Sequence, residues 1–225
     1  MKQILAILVL TISLCITSTD AIAQSVDNPL LPGADVLIDV GHGGVDSGAM
    51  FGKYEEKAMN LAISKKTYKL LKKRGFRVAI NRKEDYALSD DNNWSFGGRH
   101  RKDLAQRAGI ANTLQPKIML SMHINAGRPS RRGPLVIYQN QSDSILLAHL
   151  LQQSLNRVYG TDELPVYGKK YFVLKHTTCP SVIVELGFIT NKTDRKLLND
   201  SHHQAKLAEA ISTAVQQYFA MIHPT

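Results

Sequence analysis

Two cysteines in 225 residues are too few for a disulfide framework, so apolar side chains must hold the fold together. Proline and glycine are also sparse, 8 and 15 residues, which excludes collagenous and low-complexity chains. Charged residues are 21% of the chain against 44% hydrophobic ones, a balance that argues against wholesale disorder. Acidic residues are the minority charge: 19 Asp and Glu face 28 Lys and Arg, for a formal charge of +9. The excess points to an anionic partner or surface without saying which. The apolar run at the N-terminus, Ile4 to Ile16, falls short of the roughly 20 residues that span a bilayer.

That run is preceded by Met1-Lys2-Gln3 and followed by Ala21-Ile22-Ala23 before Gln24, the form of an export signal with a small-x-small cleavage site. The alternative is an uncleaved anchor. Residues 1–23 are therefore expected to be a signal peptide, 24–34 a connector, and 35–225 one domain. Cleavage removes Lys2 and Asp20 together, so the charge stays at +9, and it removes Cys15. Leu14 is larger than the residue a lipidation site prefers, so Cys15 is not read as lipidated. Cys179 is then the only thiol, and export without disulfides suits a bacterial cell surface.

Past the connector, apolar runs alternate with helical stretches. Val36-Leu37-Ile38 is a buried-strand signal that stops at Gly41-His42-Gly43-Gly44. From Glu56 to Arg74, apolar residues recur at Met59, Ile63, Leu70 and Leu71 among lysines, and Gly75 ends the amphipathic helix. Strands are expected at Phe76–Ile80, Ile118–Met122, Leu135–Tyr138 and Val182–Val184, and helices at Arg101–Leu114, Ser144–Val158 and Gln204–Ile222. The polar stretch Asp85 to Arg99, which holds Trp94, reads as a surface loop. Strands separated by helices predict an α/β fold: a single domain with a mostly parallel twisted sheet flanked by helices on both faces.

Three polar residues sit where apolar runs stop: His42, His123 and Glu185. In open parallel sheets, sites gather at the carboxyl ends of the strands. Glu55 or Glu56 opens the first long helix, where a carboxylate is favoured by the helix dipole in any case. Two imidazoles and a carboxylate also make a catalytic zinc set with a fourth position for water. With Glu185 as a nearby base, such a set could cleave an amide.

The motifs Asp39-Val40-Gly41-His42-Gly43-Gly44, Glu56-Lys57 leading into Asn60-Leu61, Asn81-Arg82, Gln106 to Asn112, Ser121-Met122-His123-Ile124-Asn125-Ala126 and Val184 to Asn191 come in a fixed order. In that order the chain, from about Asp35 to its end, resembles zinc-dependent N-acetylmuramoyl-L-alanine amidases of the amidase type 3 family. The resemblance implies one Zn2+ held by His42, Glu56 and His123, with Glu185 as the catalytic carboxylate, and it selects Glu56 over Glu55. It implies peptidoglycan as substrate, cut between the lactyl group of N-acetylmuramic acid and the L-alanine of the stem peptide. Val40 stands where the family usually has Pro, and Asn81 where it often has Thr. With no long helical insertion and no repeated wall-binding module in this sequence, the chain resembles the compact branch that includes spore-cortex amidases. In that branch a downstream deacetylase acting on the product is an expected partner. The expected location is extracytoplasmic: cell wall, periplasm or spore envelope, with no stable membrane span after cleavage.

Arg82 and Asn125 are candidate substrate-binding residues, against a surface ion pair and a turn-stabilising amide as the plainer readings. Lys175-His176 is a candidate rim pair, and Cys179 reads as inert. Two competing functions are a zinc peptidase cutting within the stem peptide and a non-catalytic, basic wall- or nucleic-acid-binding protein. The latter would use the Lys65–Lys73 face and Arg128, Arg131 and Arg132. A lysine-rich helix is usually a solvated face, so no nucleic-acid partner is expected.

Overall fold

The computed structural model of the chain describes residues 33–89 and 96–222. The expected export signal, all but the end of the connector, and Trp94 lie outside the described residues. In chain order the elements are β1 (Val36–Val40), β2 (Met50–Phe51), β3 (Tyr54–Glu55), α1 (Glu56–Lys73), β4 (Val78–Ile80), α2 (Phe96–Leu114) and β5 (Ile118–Asn125). There follow β6 (Leu135–Tyr138), α3 (Ser142–Tyr159), β7 (Val166–Tyr167), α4 (Phe172–His176), β8 (Ser181–Phe188), α5 (Lys192–Leu198) and α6 (Ser201–Ile222).

Six strands form one sheet in the order β4-β1-β5-β8-β6-β7. The first four run parallel, β6 is antiparallel to β8, and β7 runs with β6. Alternation along each strand divides the side chains between two faces. Val36, Ile38, Val40, Leu120, Met122, Val182 and Val184 pack with α1, α3 and α6 in the larger core. Leu37, Ala79 and Met119 pack on the other face with α2 and α4, beside a small cluster of Ile137, Leu174 and Ile183. Helices therefore cover both faces, as the alternation predicts. Among the described residues, no helix is long and apolar enough to cross a membrane.

Several boundaries differ from the sequence expectation. α2 begins at Phe96, inside the stretch expected to be loop, and β5 and β8 each continue past their apolar runs. His123 and Glu185 are thus interior strand residues rather than the first residues after a strand. The β2–β3 hairpin, β7, α4 and α5 have two to seven residues each, too short to show a period. They exist because the larger elements hold them. Asn191, for example, caps α5 by accepting the N–H groups of Thr193 and Asp194.

The two departures from the family motif meet in space. Val40 N–H donates to Asn81 Oδ1 at 2.8 Å, and Asn81 Nδ2 donates to Asp39 Oδ1 at 2.5 Å, both buried. A proline at position 40 would have no N–H to satisfy, so Val40 creates a buried donor and Asn81 supplies its acceptor. Asn81→Ala should destabilise the protein by about 1–3 kcal/mol in urea unfolding. In a Val40→Pro background the same change should cost about 0.5–1.5 kcal/mol less, and strict additivity would show that the two positions are independent.

Candidate active site

The site forms on the sheet face covered by α2 and α4, toward the carboxyl ends of β1, β5 and β8. Strand pairing does part of the assembly. β5 and β8 are parallel neighbours with His123 in register with Glu185, so the two side chains project from the same face side by side. β1 ends one strand away, and the chain turns sharply at His42, whose φ is 59°. That left-handed conformation is uncommon for a residue with a Cβ. Arg107 from α2 holds it, donating to the carbonyls of Val40 at 2.7 Å and His42 at 3.3 Å.

Glu56 is the first residue of α1, and the short hairpin before it fixes its carboxylate. Its Oε2 accepts Ala49 N–H at 2.8 Å, while its Oε1 accepts Ile124 N–H at 3.1 Å and Asn60 Nδ2 at 3.3 Å. The same Oε1 lies 3.2 Å from His42 Nε2 and 3.0 Å from His123 Nδ1. His42, Glu56 and His123 each offer a ligand atom, all within 4.8 Å of one another, and could hold a metal ion. The two rings meet edge to face, 5.0 Å between centroids.

The residues present fit a metal on three grounds. First, two imidazoles and a carboxylate are donors suited to zinc. Second, the backbone makes room for them: a Cβ on Gly41 would come within 2.4 Å of the His123 ring. Third, Glu185 beside the cluster has its Oε2 shielded from solvent with no hydrogen-bond partner, a polar group left for something the protein alone does not provide.

The electrostatics separate the two carboxylates. Burial opposes charge on Glu56, but its contacts with His123 and His42 outweigh that and hold it well below the usual carboxylate range. Glu185 has no such contacts; burial raises it to about 7, with the His123 charge opposing and the Glu56 charge adding. Burial also opposes charge on His42, yet hydrogen bonds to Asp46 and Glu56 prevail and raise it to about 9. Asp46 Oδ2 lies 3.0 Å from His42 Nδ1, orienting the ring from behind, and Arg99 approaches Asp46 at 3.7 Å. A carboxylate on the far nitrogen of a ligating histidine fixes its tautomer and raises its basicity.

His42, Glu56 and His123 thus lie together, with Glu185 in register beside His123. Arg82 does not stand at a rim as a substrate contact. It is 1% exposed, and its guanidinium donates to the carbonyls of Val40, Gly41, Lys57 and Glu84. These bonds clamp the His42 loop to α1 from inside, and burial and the Arg107 charge lower Arg82 to about 10. Asn125 is half-buried on β5, two residues beyond His123 and on its face, and its carbonyl accepts Ile189 N–H at 2.9 Å. Lys175 and His176 are exposed at the end of α4, where His176 stacks on Phe172 at 3.9 Å. Cys179 is buried, and burial pushes its thiol up. Sequence reasoning quoted Asn60 and Arg107 within motifs without giving either a role, and it did not single out Asp46; Asn60 stands one helical turn after Glu56 on the same face.

The family model for N-acetylmuramoyl-L-alanine amidases matches residues 36–217. The uncharacterized protein YqiI of Bacillus subtilis is 32% identical over 192 residues, 84% of this chain and 86% of its own length. The germination-specific N-acetylmuramoyl-L-alanine amidase of Bacillus subtilis is 28% identical over 193 residues, 84% of this chain and 81% of that protein. Among solved structures, the CwlD amidase from Clostridioides difficile in complex with the GerS lipoprotein has a TM-score of 0.79 at 31% identity. That match covers 84% of this chain and all (100%) of the other.

Because its hydrogen bonds to Asp46 and Glu56 raise His42 to about 9, a metal has to displace its proton below that pH. Affinity for Zn2+, read by chelator competition, should fall about tenfold per pH unit as pH drops from 9 toward 7. Asp46→Asn should weaken binding about 10- to 100-fold and flatten that slope, and a wild-type affinity independent of pH would contradict the assignment.

Proposed function

The chain belongs to the N-acetylmuramoyl-L-alanine amidase family, and on that premise we propose that it is a zinc-dependent amidase of peptidoglycan. Its bond is the amide between the lactyl group of N-acetylmuramic acid and the L-alanine that begins the stem peptide. The observation that carries the reading is one constellation: His42, Glu56 and His123 converging within 4.8 Å, with Glu185 in register beside His123 and its Oε2 unpartnered.

Zinc held by His42, Glu56 and His123 would supply Lewis acidity at the scissile carbonyl and lower the pKa of water toward about 7. The remaining steps belong to the protein. Glu185, raised to about 7, is matched to take a proton from the attacking water at neutral pH and to return it to the leaving amine of L-alanine. Glu56 is held in its ionised form by the N–H groups of Ala49 and Ile124 and by the Asn60 amide. Opposite environments thus give two neighbouring carboxylates different tasks. Asp46 and Arg107 keep His42 oriented, and Asn125, on the face of His123, would donate to a substrate carbonyl.

Peptidoglycan lies outside the cytoplasm, so the proposed place of action is the wall or the spore envelope, consistent with a relative named for germination and with residues 1–23 as an export signal. The product would be glycan bearing a free lactyl carboxylate, on which a deacetylase could act next. The partner named with the similar amidase of Clostridioides difficile is a lipoprotein.

Chelation should abolish release of peptide from peptidoglycan, and added Zn2+ should restore it. Glu185→Gln should keep its zinc and lose about 10²- to 10⁴-fold in kcat; loss of the metal instead would make Glu185 a ligand. Mass analysis of the digest should show muramic acid freed of peptide and a new amino terminus at L-alanine. A cut between two amino acids would establish the peptidase reading in its place.

A further inference from the structure

Pairing between β5 and β8 is interrupted next to the site. His123 is in register with Glu185 and Asn125 with Phe188, so β8 spends three residues where β5 spends two. The irregularity is a β-bulge at Gly187, whose φ is 149°. In an unbroken strand Gly187 would share the face of Glu185; the bulge gives that place to Phe188. Other elements hold it in this form. Asp194, fully buried, accepts Phe188 N–H at 3.0 Å and Gly133 N–H at 2.7 Å, and the Tyr159 hydroxyl donates to the Leu186 carbonyl at 2.6 Å.

The guanidinium of Arg131 lies over the Phe188 ring, 5.7 Å from its centre. Arg131 belongs to an exposed segment between β5 and β6 that is tied down along its length. Gly127 N–H donates to Thr190 Oγ1 at 3.2 Å, Asn191 Nδ2 to the Pro129 carbonyl at 2.7 Å, and Arg131 N–H to the Arg128 carbonyl at 2.9 Å. Among the described residues, neither Arg128 nor Arg131 has a carboxylate partner. A guanidinium backed by an aromatic face, without an internal counterion, is arranged for an anion from outside.

We propose that Arg131, with Arg128 beside it, recognises the carboxylate on the stem-peptide residue that follows L-alanine, and so selects the peptide arm of the substrate. The inference rests on the amidase reading. Phe188 takes the place next to Glu185 on the site's face of β8, and the Arg131 guanidinium lies over its ring, which sets the cation one side chain away from the candidate catalytic carboxylate. Arginine suits the task better than lysine, since its planar fork can stack on the ring and still bind a carboxylate through two donors.

Two disaccharide-peptide substrates that differ only in whether this carboxyl is free or amidated test the proposal on the zinc-loaded full chain. The free acid should be cleaved with a KM about tenfold lower than the amide. Arg131→Ala should erase that difference by raising KM for the free acid alone, with kcat and Tm unchanged, and Arg131→Lys should restore part of it. Equal kcat/KM for both substrates in the wild type, or an equal loss on both in Arg131→Ala, would overturn the subsite and leave the amidase reading standing. Failure to cut either substrate between lactyl group and alanine would overturn the amidase reading and the subsite with it.

Discussion

A carboxylate buried at the end of a central strand organises the ground on which the site is built. Asp39 is 1% exposed and accepts from Arg107 Nη1 at 2.7 Å, Asn81 Nδ2 at 2.5 Å and Ser121 Oγ at 2.6 Å. Through it β1 is tied to α2, to the residue after β4 and to β5. Arg107 is shared with Asp103 at 2.5 Å and reaches on to the carbonyl of His42. Replacing such a buried pair by apolar groups can cost a fold little, whereas breaking it strands a charge. Here the pair also does what apolar packing could not: directional donors hold the left-handed turn that brings the His42 ring toward Glu56.

The rest of the site follows from that turn. With His42 held, Arg82 can close the loop against α1 from inside, and the first residue of α1 meets two imidazoles, one from the turn after β1 and one from β5. The convergence on Glu56 Oε1 lets a carboxylate stay charged in a mostly buried place, whereas in Glu185, which accepts no such contact from the imidazoles, burial outweighs the opposing charges of His123 and His42. One site thus contains an anion suited to holding a cation and an acid poised near neutrality. That division is what water-mediated hydrolysis of an amide requires. The same strands lead beyond the chemistry, because the bulge that follows Glu185 turns Phe188 to the site's face under Arg131.

Much of this was legible from residues alone, and the exceptions have a common cause. Long periodic segments such as α1, α3 and α6 declare themselves because a repeating pattern reports on a repeating environment. Polar residues that interrupt apolar runs at His42, His123 and Glu185 were visible for a related reason: burying them costs free energy unless a partner or a function compensates. Arg82 misled because a buried guanidinium and a substrate-binding one look alike in sequence. Asp46 went unseen because its contact with His42 depends on a loop conformation, not on a helical or strand period.

The sequence by itself determined the alternation of the long strands and helices, the two-sided sheet and the excess of basic charge. These are properties of composition and spacing, which survive without coordinates. Tertiary structure alone decided that Arg82 faces inward, that Val40 and Asn81 answer one another, that Asp46 stands behind His42, and that a bulge at Gly187 exchanges one side chain for another beside the site. Each is a contact between residues brought together only by folding, with a direction set by hydrogen bonds, and no pattern along the chain encodes the direction of a side chain in a turn.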